Sequence, residues 1–170
     1  MMFRVLVFLY AILFSTQSIA ETPVIVISPG KTIQSKSIVG SDVSVIEGQQ
    51  INESDFFIGD IIGYSVPGMS MFQAGGYGAV TGIQMRGLPG RYSTVYIDGV
   101  KMSDPSTPDN RYYGVNQIPS NTVERVEVLK GTNSSLYGSG AISGAINIYT
   151  KKAKEEGIKQ SISLIGGMDT

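Results

Sequence analysis

The sequence predicts an α+β domain in which short strands, one or two helices and long glycine-rich loops alternate along one chain. Glycine supplies 21 of the 170 residues, well above the ~7% of an average protein, and this indicates many tight turns. Several segments alternate apolar and polar residues with the period of two that is typical of strands. Only residues 51–64 place apolar side chains close to helical spacing, which argues against a helical bundle.

Residues 1–20 have the organisation of a secretory signal peptide. After Arg4, residues 5–14 are uninterrupted apolar, and the polar stretch that follows ends in Ser-Ile-Ala at 18–20. Small residues at the first and last of these three positions suit signal peptidase. The apolar run is too short to cross a hydrocarbon core, which needs about 20 residues. We therefore expect an exported chain that begins at Glu21.

The first half of the mature chain predicts a strand, a helix and a loop. Residues 38–46 alternate valine with polar residues and predict a strand. Residues 51–64 predict the helix, with Asn52 or Ser54 as its N-cap. Residues 69–82 contain the run Gly-Gly-Tyr-Gly and predict a mobile loop.

The second half predicts further strands joined by tight turns. Asp98-Gly99 is a strong signal for a tight turn between two strands. Residues 87–90 (Gly-Leu-Pro-Gly) predict a second turn. The predicted strands cover residues 80–86, 94–97, 123–129 and 145–149, and a final alternating run covers 160–165.

The composition excludes most enzyme chemistry. The absence of His and Cys removes His-based triads, Cys nucleophiles, disulfides and the usual zinc sites. Residues 30–32 end like a phosphate-binding loop, but the required earlier glycine is Ile25. Residues 138–140 begin like a dinucleotide-binding loop, but Ser143 replaces its third glycine. We predict no enzyme activity, and we assign no catalytic residue, metal site or cofactor.

The net charge also excludes one class of partner. The formal charge is −1 at pH 7, so the chain has no bulk attraction for nucleic acid. We therefore expect no nucleic-acid partner.

Four short blocks follow one another in the remaining sequence. They are residues 83–87 (IQMRG), 95–100 (VYIDGV), 123–131 (VERVEVLKG) and the glycine-punctuated run 135–148. In this order and spacing they resemble the plug domain of TonB-dependent outer-membrane receptors, and most of all the vitamin B12 transporter and its siderophore relatives. The resemblance covers nearly all of the chain from Glu21 to Thr170.

The resemblance implies a fold and a function. The fold is a small mixed β-sheet with short helices, held inside a β-barrel of about 22 strands. The plug blocks the barrel pore, helps to bind an iron-siderophore, a corrinoid or a similar scarce nutrient, and moves when the inner-membrane TonB protein pulls. Its location is the cell outer membrane of a Gram-negative envelope.

The resemblance also divides the chain into segments. These are a signal peptide (1–20), a TonB-box segment and linker (21–37), the plug domain (38–152), and a connector with the start of the first barrel strand (153–170). Because a barrel of this kind needs ~220 residues in its strands, we expect a chain truncated before its barrel. The alternative is a stand-alone periplasmic ligand-binding or regulatory module.

The resemblance places a TonB box at the start of the mature chain. Thr22, Val24, Ile25 and Val26 are its expected TonB-binding residues, since an extended β-branched segment can add as a strand to a partner's sheet edge. Pro23 departs from the usual box and removes one N–H donor.

Two arginines match family positions that join plug to barrel. The resemblance implies that Arg86 and Arg125 face acidic residues of the barrel wall, because a buried cation needs a carboxylate partner. Glu124 and Glu127 are alternative partners within this chain.

The loops expected to face outward carry aromatic and basic residues. They cover residues 69–78, 88–92 and 102–114, and their expected substrate-binding residues are Tyr77, Arg91, Tyr92, Arg111, Tyr112 and Tyr113. Aromatic rings beside cations suit a large, partly anionic ligand such as a metal chelate or a corrinoid. The alternative is that these rings pack against barrel loops.

Overall fold

The computed structural model describes residues 25–26, 32–36, 40–52, 57–76, 79–107 and 114–152. The strands are β1 (Ile25–Val26), β2 (Gln34–Ser35), β3 (Asp42–Glu47), β4 (Met69–Gln73), β5 (Thr81–Met85), β6 (Leu88–Pro89), β7 (Ser93–Ile97), β8 (Val100–Met102), β9 (Val123–Lys130) and β10 (Gly144–Thr150). The α-helices are α1 (Gln49–Asn52), α2 (Ile58–Ser65) and α3 (Ser134–Tyr137), and 3-10 turns cover Gly90–Tyr92, Gly114–Gln117 and Ser120–Thr122.

The larger sheet is mixed and has the strand order β3-β9-β10-β7-β8. β10 runs parallel to β7, and every other neighbouring pair in this sheet is antiparallel. β9 and β10 carry much of the core, since Val126, Val128, Ile146 and Ile148 are all fully buried. The predicted α+β class with a small mixed sheet is therefore confirmed.

The second sheet corrects the prediction of a loop over residues 69–82. β4 pairs antiparallel with β5, and β5 pairs antiparallel with β6. Phe72 lies directly opposite Gly82 in this register, and a Cβ on that glycine would overlap the Phe72 ring. A glycine that looks like a loop breaker in the sequence is thus the residue that lets the ring lie across the neighbouring strand.

The turn after β5 lies at Arg86–Gly87 and not at residues 87–90. Leu88 pairs back on Met85, which leaves a two-residue loop. Both loop residues have positive φ, 53° at Arg86 and 76° at Gly87, as a tight hairpin turn requires. The predicted turn at Asp98-Gly99 is confirmed by the β7–β8 hairpin, with φ of 48° and 84°.

The predicted helix over residues 51–64 begins later than expected. α2 starts after Phe57, which occupies the N-cap in an extended conformation and makes no side-chain cap. Phe57 instead forms a β-bridge with Pro119, and the Ile58 N–H donates to the Ile118 carbonyl at 3.0 Å. Asn52, one predicted N-cap, lies in α1, and the other falls outside the described residues.

α2 is held in place by its apolar face. Ile58, Ile61 and Ile62 are fully buried in the core between the helix and the larger sheet. None of the described helices has both the length and the apolar character needed to span a membrane.

α3 was not predicted, because all but its first residue fall within the glycine-punctuated run 135–148. It lies against the larger sheet through Tyr137, whose ring packs edge-on to the Tyr96 ring at 5.1 Å between centroids. The Tyr96 hydroxyl donates to the Tyr137 carbonyl at 3.0 Å. Burial raises the pKa of the Tyr96 hydroxyl above its ordinary value and so favours the protonated form that donates this hydrogen bond.

Candidate functional site

A cavity of about 490 Å³ opens between the start of β7, the end of β8 and the loop that precedes β10. The turn Gly90–Tyr92 and the start of β5 complete its wall. Its wall includes the basic side chains of Arg91 and Lys101 and the phenol of Tyr92. It also includes the hydroxyl of Ser139 and the apolar side chains of Met102 and Ile142.

Two predicted substrate-binding residues lie together in this wall. The guanidinium carbon of Arg91 is 5.9 Å from the centroid of the Tyr92 ring, within the range of a cation–π contact. Arg91 and Lys101 are exposed, and Tyr92 is half-buried. The cavity therefore presents two positive charges and an aromatic face to the solvent.

Ser143 fixes the backbone of this turn. The Tyr92 carbonyl accepts hydrogen bonds from both the N–H and the hydroxyl of Ser143, each at 2.8 Å. Since the Ser143 hydroxyl is used in this way, the Ser93 hydroxyl donates to it, also at 2.8 Å. The sequence alone does not predict this role of Ser143, because Tyr92 lies 51 positions away.

The other predicted substrate-binding residues lie outside the described part of the chain. They are Tyr77, Arg111, Tyr112 and Tyr113. The structure describes the residues that flank them, namely Gln73 to Gly76 before the first and Gly114 after the last three. Their contact with a ligand stays a prediction.

Arg86, one of the two predicted barrel-facing cations, has an ion pair within the chain. Its Nη2 lies 2.9 Å from Asp42 Oδ2, and Lys130 Nζ lies 3.1 Å from Asp42 Oδ1. Burial raises the pKa of the Asp42 carboxyl, but the hydrogen bonds and positive charges of Lys130 and Arg86 outweigh this and lower the pKa overall. The three groups tie the turn after β5 to the edge of the larger sheet.

The depressed pKa of Asp42 predicts a stability difference that depends on pH. A carboxyl with a lowered folded-state pKa stabilises the fold above its unfolded-state pKa of about 3.9, and this contribution is lost as pH falls through the folded-state value. Wild type should therefore exceed Asp42→Asn in melting temperature near about pH 6, by a small margin because the pair is exposed. The margin should shrink towards about pH 3. A margin that grew on acidification would contradict this assignment.

Arg125, the second of these cations, has one of its two alternative partners close by. Its Nε lies 3.0 Å from Glu127 Oε1, and the Glu127 side chain is fully buried. The Arg125 guanidinium also lies over the Tyr149 ring, 4.6 Å from its centroid. Within the described part of the chain Arg125 thus lies beside one of its two local partners, Glu127, and the Arg125 side chain is 21% exposed; its contact with a barrel carboxylate stays a prediction.

The predicted TonB-binding segment is described in part. Thr22 and Val24 lie outside the described residues, whereas Ile25–Val26 form β1, which pairs antiparallel with β2 at Gln34–Ser35. The backbone at Ile25–Val26 thus takes the extended conformation that strand addition uses. Among the described residues, the pairs are Ile25 with Ser35 and Val26 with Gln34.

The TonB-dependent Receptor Plug Domain family matches residues 35–145. The chain belongs to this family. The match covers β3 to β9, the start of β10 and the cavity wall, so the resemblance drawn from the four sequence blocks is confirmed. The family is one of outer-membrane receptors of Gram-negative bacteria.

The plug resembles curated transporters and receptors. It is 30% identical over 154 residues to the vitamin B12 transporter BtuB of Vibrio vulnificus (strain CMCP6), covering 90% of this chain and 24% of the transporter. It is 38% identical over 96 residues to the iron-regulated outer membrane virulence protein of Vibrio cholerae (strain O395), covering 54% of this chain and 14% of that protein. The chain spans about a quarter of the length of the vitamin B12 transporters it matches.

Solved receptor structures share the plug fold. The siderophore receptor PirA from Acinetobacter baumannii has a TM-score of 0.51 and 27% identity, over 67% of this chain and 18% of the receptor. The ferripyoverdine receptor of Pseudomonas aeruginosa has a TM-score of 0.59 over 79% of this chain and 17% of that receptor. At 22% identity this second likeness concerns the fold alone.

Proposed function

We propose that this plug gates an outer-membrane transporter and contributes to the binding of its ligand, an iron-siderophore, a corrinoid or a similar scarce nutrient. The observation that carries the proposal is the cavity in which Arg91, Tyr92 and Lys101 meet. The relatives named for vitamin B12 and for siderophores support the same ligand classes.

The chemistry of the cavity suits a partly anionic ligand. Arg91 and Lys101 offer positive charge, and the Tyr92 ring offers a flat face for an aromatic or conjugated group. Because Ser143 holds the Tyr92 backbone through two hydrogen bonds, little ordering is needed on binding. A cavity of about 490 Å³ takes a part of such a ligand, and we assign the remaining contacts to Tyr77, Arg111, Tyr112 and Tyr113.

Removing both Arg91 and Tyr92 is expected to weaken ligand binding by about tenfold or more, because the ligand loses one cation–π contact and one aromatic face. Ferric enterobactin and cyanocobalamin serve as probes, with affinity measured by equilibrium dialysis for wild type and for the Arg91→Ala/Tyr92→Ala variant. Lys36→Ala, which removes an exposed cation that does not line the cavity, is the matched control. If the pair variant and the control bound a probe with equal affinity, Arg91 and Tyr92 would not belong to the binding site. If neither probe bound to wild type, these two ligands would be excluded.

We further propose that Thr22, Val24, Ile25 and Val26 bind TonB by strand addition. The extended backbone of Ile25–Val26, which pairs with β2, supports this, because a segment in strand conformation can add to the sheet edge of a partner. Val24→Pro removes a further N–H donor from the segment. Unchanged capture of purified TonB by this variant would contradict the proposal.

We also propose that Arg86 and Arg125 contact carboxylates of the barrel of the same receptor. The Arg86 side chain is 48% exposed beside its pair with Asp42, so donors remain for a second carboxylate. If Arg86→Gln left the release of the plug by urea unchanged in an intact receptor, the Arg86 contact would be lost from the proposal.

A further inference from the structure

A second cavity, of about 260 Å³, lies where α3 covers the larger sheet, and among the described residues it shares no lining residue with the first cavity. Three of its lining side chains are aromatic: Tyr96 on β7, Tyr137 on α3 and Tyr149 on β10. Its size falls just below the ~300–1,000 Å³ of sites for drug-sized molecules. The cavity therefore suits a group with a single ring.

Asn147 supplies this cavity with an unpaired hydrogen-bond donor. It lies on β10 between Tyr96 of β7 and Glu127 of β9, and it is only 5% exposed. Its side chain lines the cavity, and its Nδ2 is buried without a hydrogen-bond partner in the described part of the chain. Because an unpaired buried donor lowers the stability of a fold, an acceptor carried by a ligand is favoured here.

The aromatic wall is in place before any ligand binds. The Tyr96 hydroxyl already donates to the Tyr137 carbonyl, and the two rings meet edge-on. Both side chains are buried, so little rotational freedom is left to lose on binding. Aromatic rings pack well against a planar group, either face to face with an offset or edge to face.

The charges around the cavity cancel one another. Asp98 and Lys152 line it with one charge of each sign, and both are exposed. The guanidinium that lies over the Tyr149 ring belongs to Arg125, which is itself paired with Glu127. A charged ligand would lose hydration without meeting a net opposite charge, so the cavity favours an uncharged one.

We propose that this second cavity binds an uncharged planar ring that carries a hydrogen-bond acceptor, such as an aromatic ketone or carboxamide. The ring lies among the three tyrosines, and the acceptor takes the N–H of Asn147. The site is separate from the cavity of Arg91, Tyr92 and Lys101, so the proposal does not depend on the ligand proposed for that cavity.

Nuclear magnetic resonance titrations of the isotope-labelled 170-residue chain test the site with acetophenone, toluene and benzoate. Acetophenone should shift two signals to saturation, the side-chain amide of Asn147 and the backbone amide of Gly99, which also lines the cavity. The Asn147 amide proton should move to lower field with acetophenone, as it does when a hydrogen bond forms, and not with toluene, which has no acceptor. Benzoate should bind more weakly than acetophenone because of its charge.

Asn147→Leu removes the donor and nearly keeps the size of the side chain. The fold should tolerate it, because the substitution also removes an unpaired buried group. Affinity for acetophenone, followed at Gly99, should fall by about fivefold, the factor that a typical hydrogen bond contributes. Affinity for toluene should not fall. Gln84→Met, the matched control, removes an exposed amide on β5 outside the cavity and should leave both affinities unchanged.

Three results would each overturn a part of the proposal. Absence of saturable shifts in wild type would remove the site. An equal loss of both affinities in Asn147→Leu would remove the hydrogen bond, since a purely structural change predicts that result. Tighter binding of benzoate than of acetophenone would reject an uncharged ligand. The wild-type titrations need no substitution, so they test the donor even if Asn147→Leu does not fold.

Discussion

Replacement of Gly144 by Ala is expected to lower the free energy of unfolding by more than about 4 kcal/mol, a loss typical of severe backbone and packing conflicts. Gly144 has φ 155°, a conformation that L-residues rarely adopt. A Cβ there would overlap the Leu129 carbonyl and the Met85 sulfur. Because Gly144 pairs with Lys130 on β9 and with Ser93 on β7, any shift that relieves the overlap disturbs the centre of the larger sheet.

Urea unfolding followed by circular dichroism measures this loss. Gly40→Ala is the control, since the Cβ position of Gly40 has no atom within 4 Å. Its effect should stay within about 0.5 kcal/mol, as for other surface changes. Midpoints that agree between the two variants would show that β10 tolerates a side chain at its first residue.

Arg125→Met is expected to lower the free energy of unfolding by about 3–5 kcal/mol, because it removes the guanidinium that pairs with the fully buried Glu127 carboxylate. Because the Met side chain keeps apolar contact with Tyr149, the loss of stability measures the removal of the positive charge more than a change in packing. Arg125→Lys keeps the charge but loses the planar guanidinium over the ring. It should lie between wild type and Arg125→Met in urea midpoint.

A double variant separates the ion pair from other roles of Arg125. Arg125→Met/Glu127→Leu should recover much of the loss, because apolar replacement of a whole buried pair is often neutral. No recovery would mean that the pair is not the source of the loss. All of these measurements use the chain alone, so a barrel carboxylate contributes to none of them.

The sequence predicted those parts of the fold that depend on neighbouring residues. The Asp98-Gly99 hairpin and the strand at residues 123–129 follow from local turn chemistry and alternation. The pairing of β4 with β5 was missed because it depends on Phe72 covering Gly82 from the opposite strand. The start of α2 was misplaced because Pro119, far along the chain, fixes Phe57.

In the candidate site, too, residues that are neighbours in the sequence were predicted, and contacts between distant residues were not. Arg91 and Tyr92 were predicted from family resemblance, and the structure places both in one cavity wall. Ser143, which holds the Tyr92 backbone, lies 51 positions away, and Asp42 lies 44 positions from Arg86. No spacing rule connects residues so distant in sequence, so only the folded chain shows that they meet.

The strand order has a consequence for how the plug is made. β3 joins the larger sheet through β9, with Asp42 opposite Lys130 and Glu47 opposite Arg125, so about 80 residues separate the paired strands. Bringing such distant segments together costs loop-closure entropy before any contact repays it, which slows folding. β3 must therefore remain without its sheet neighbour until the chain has brought β9 to it.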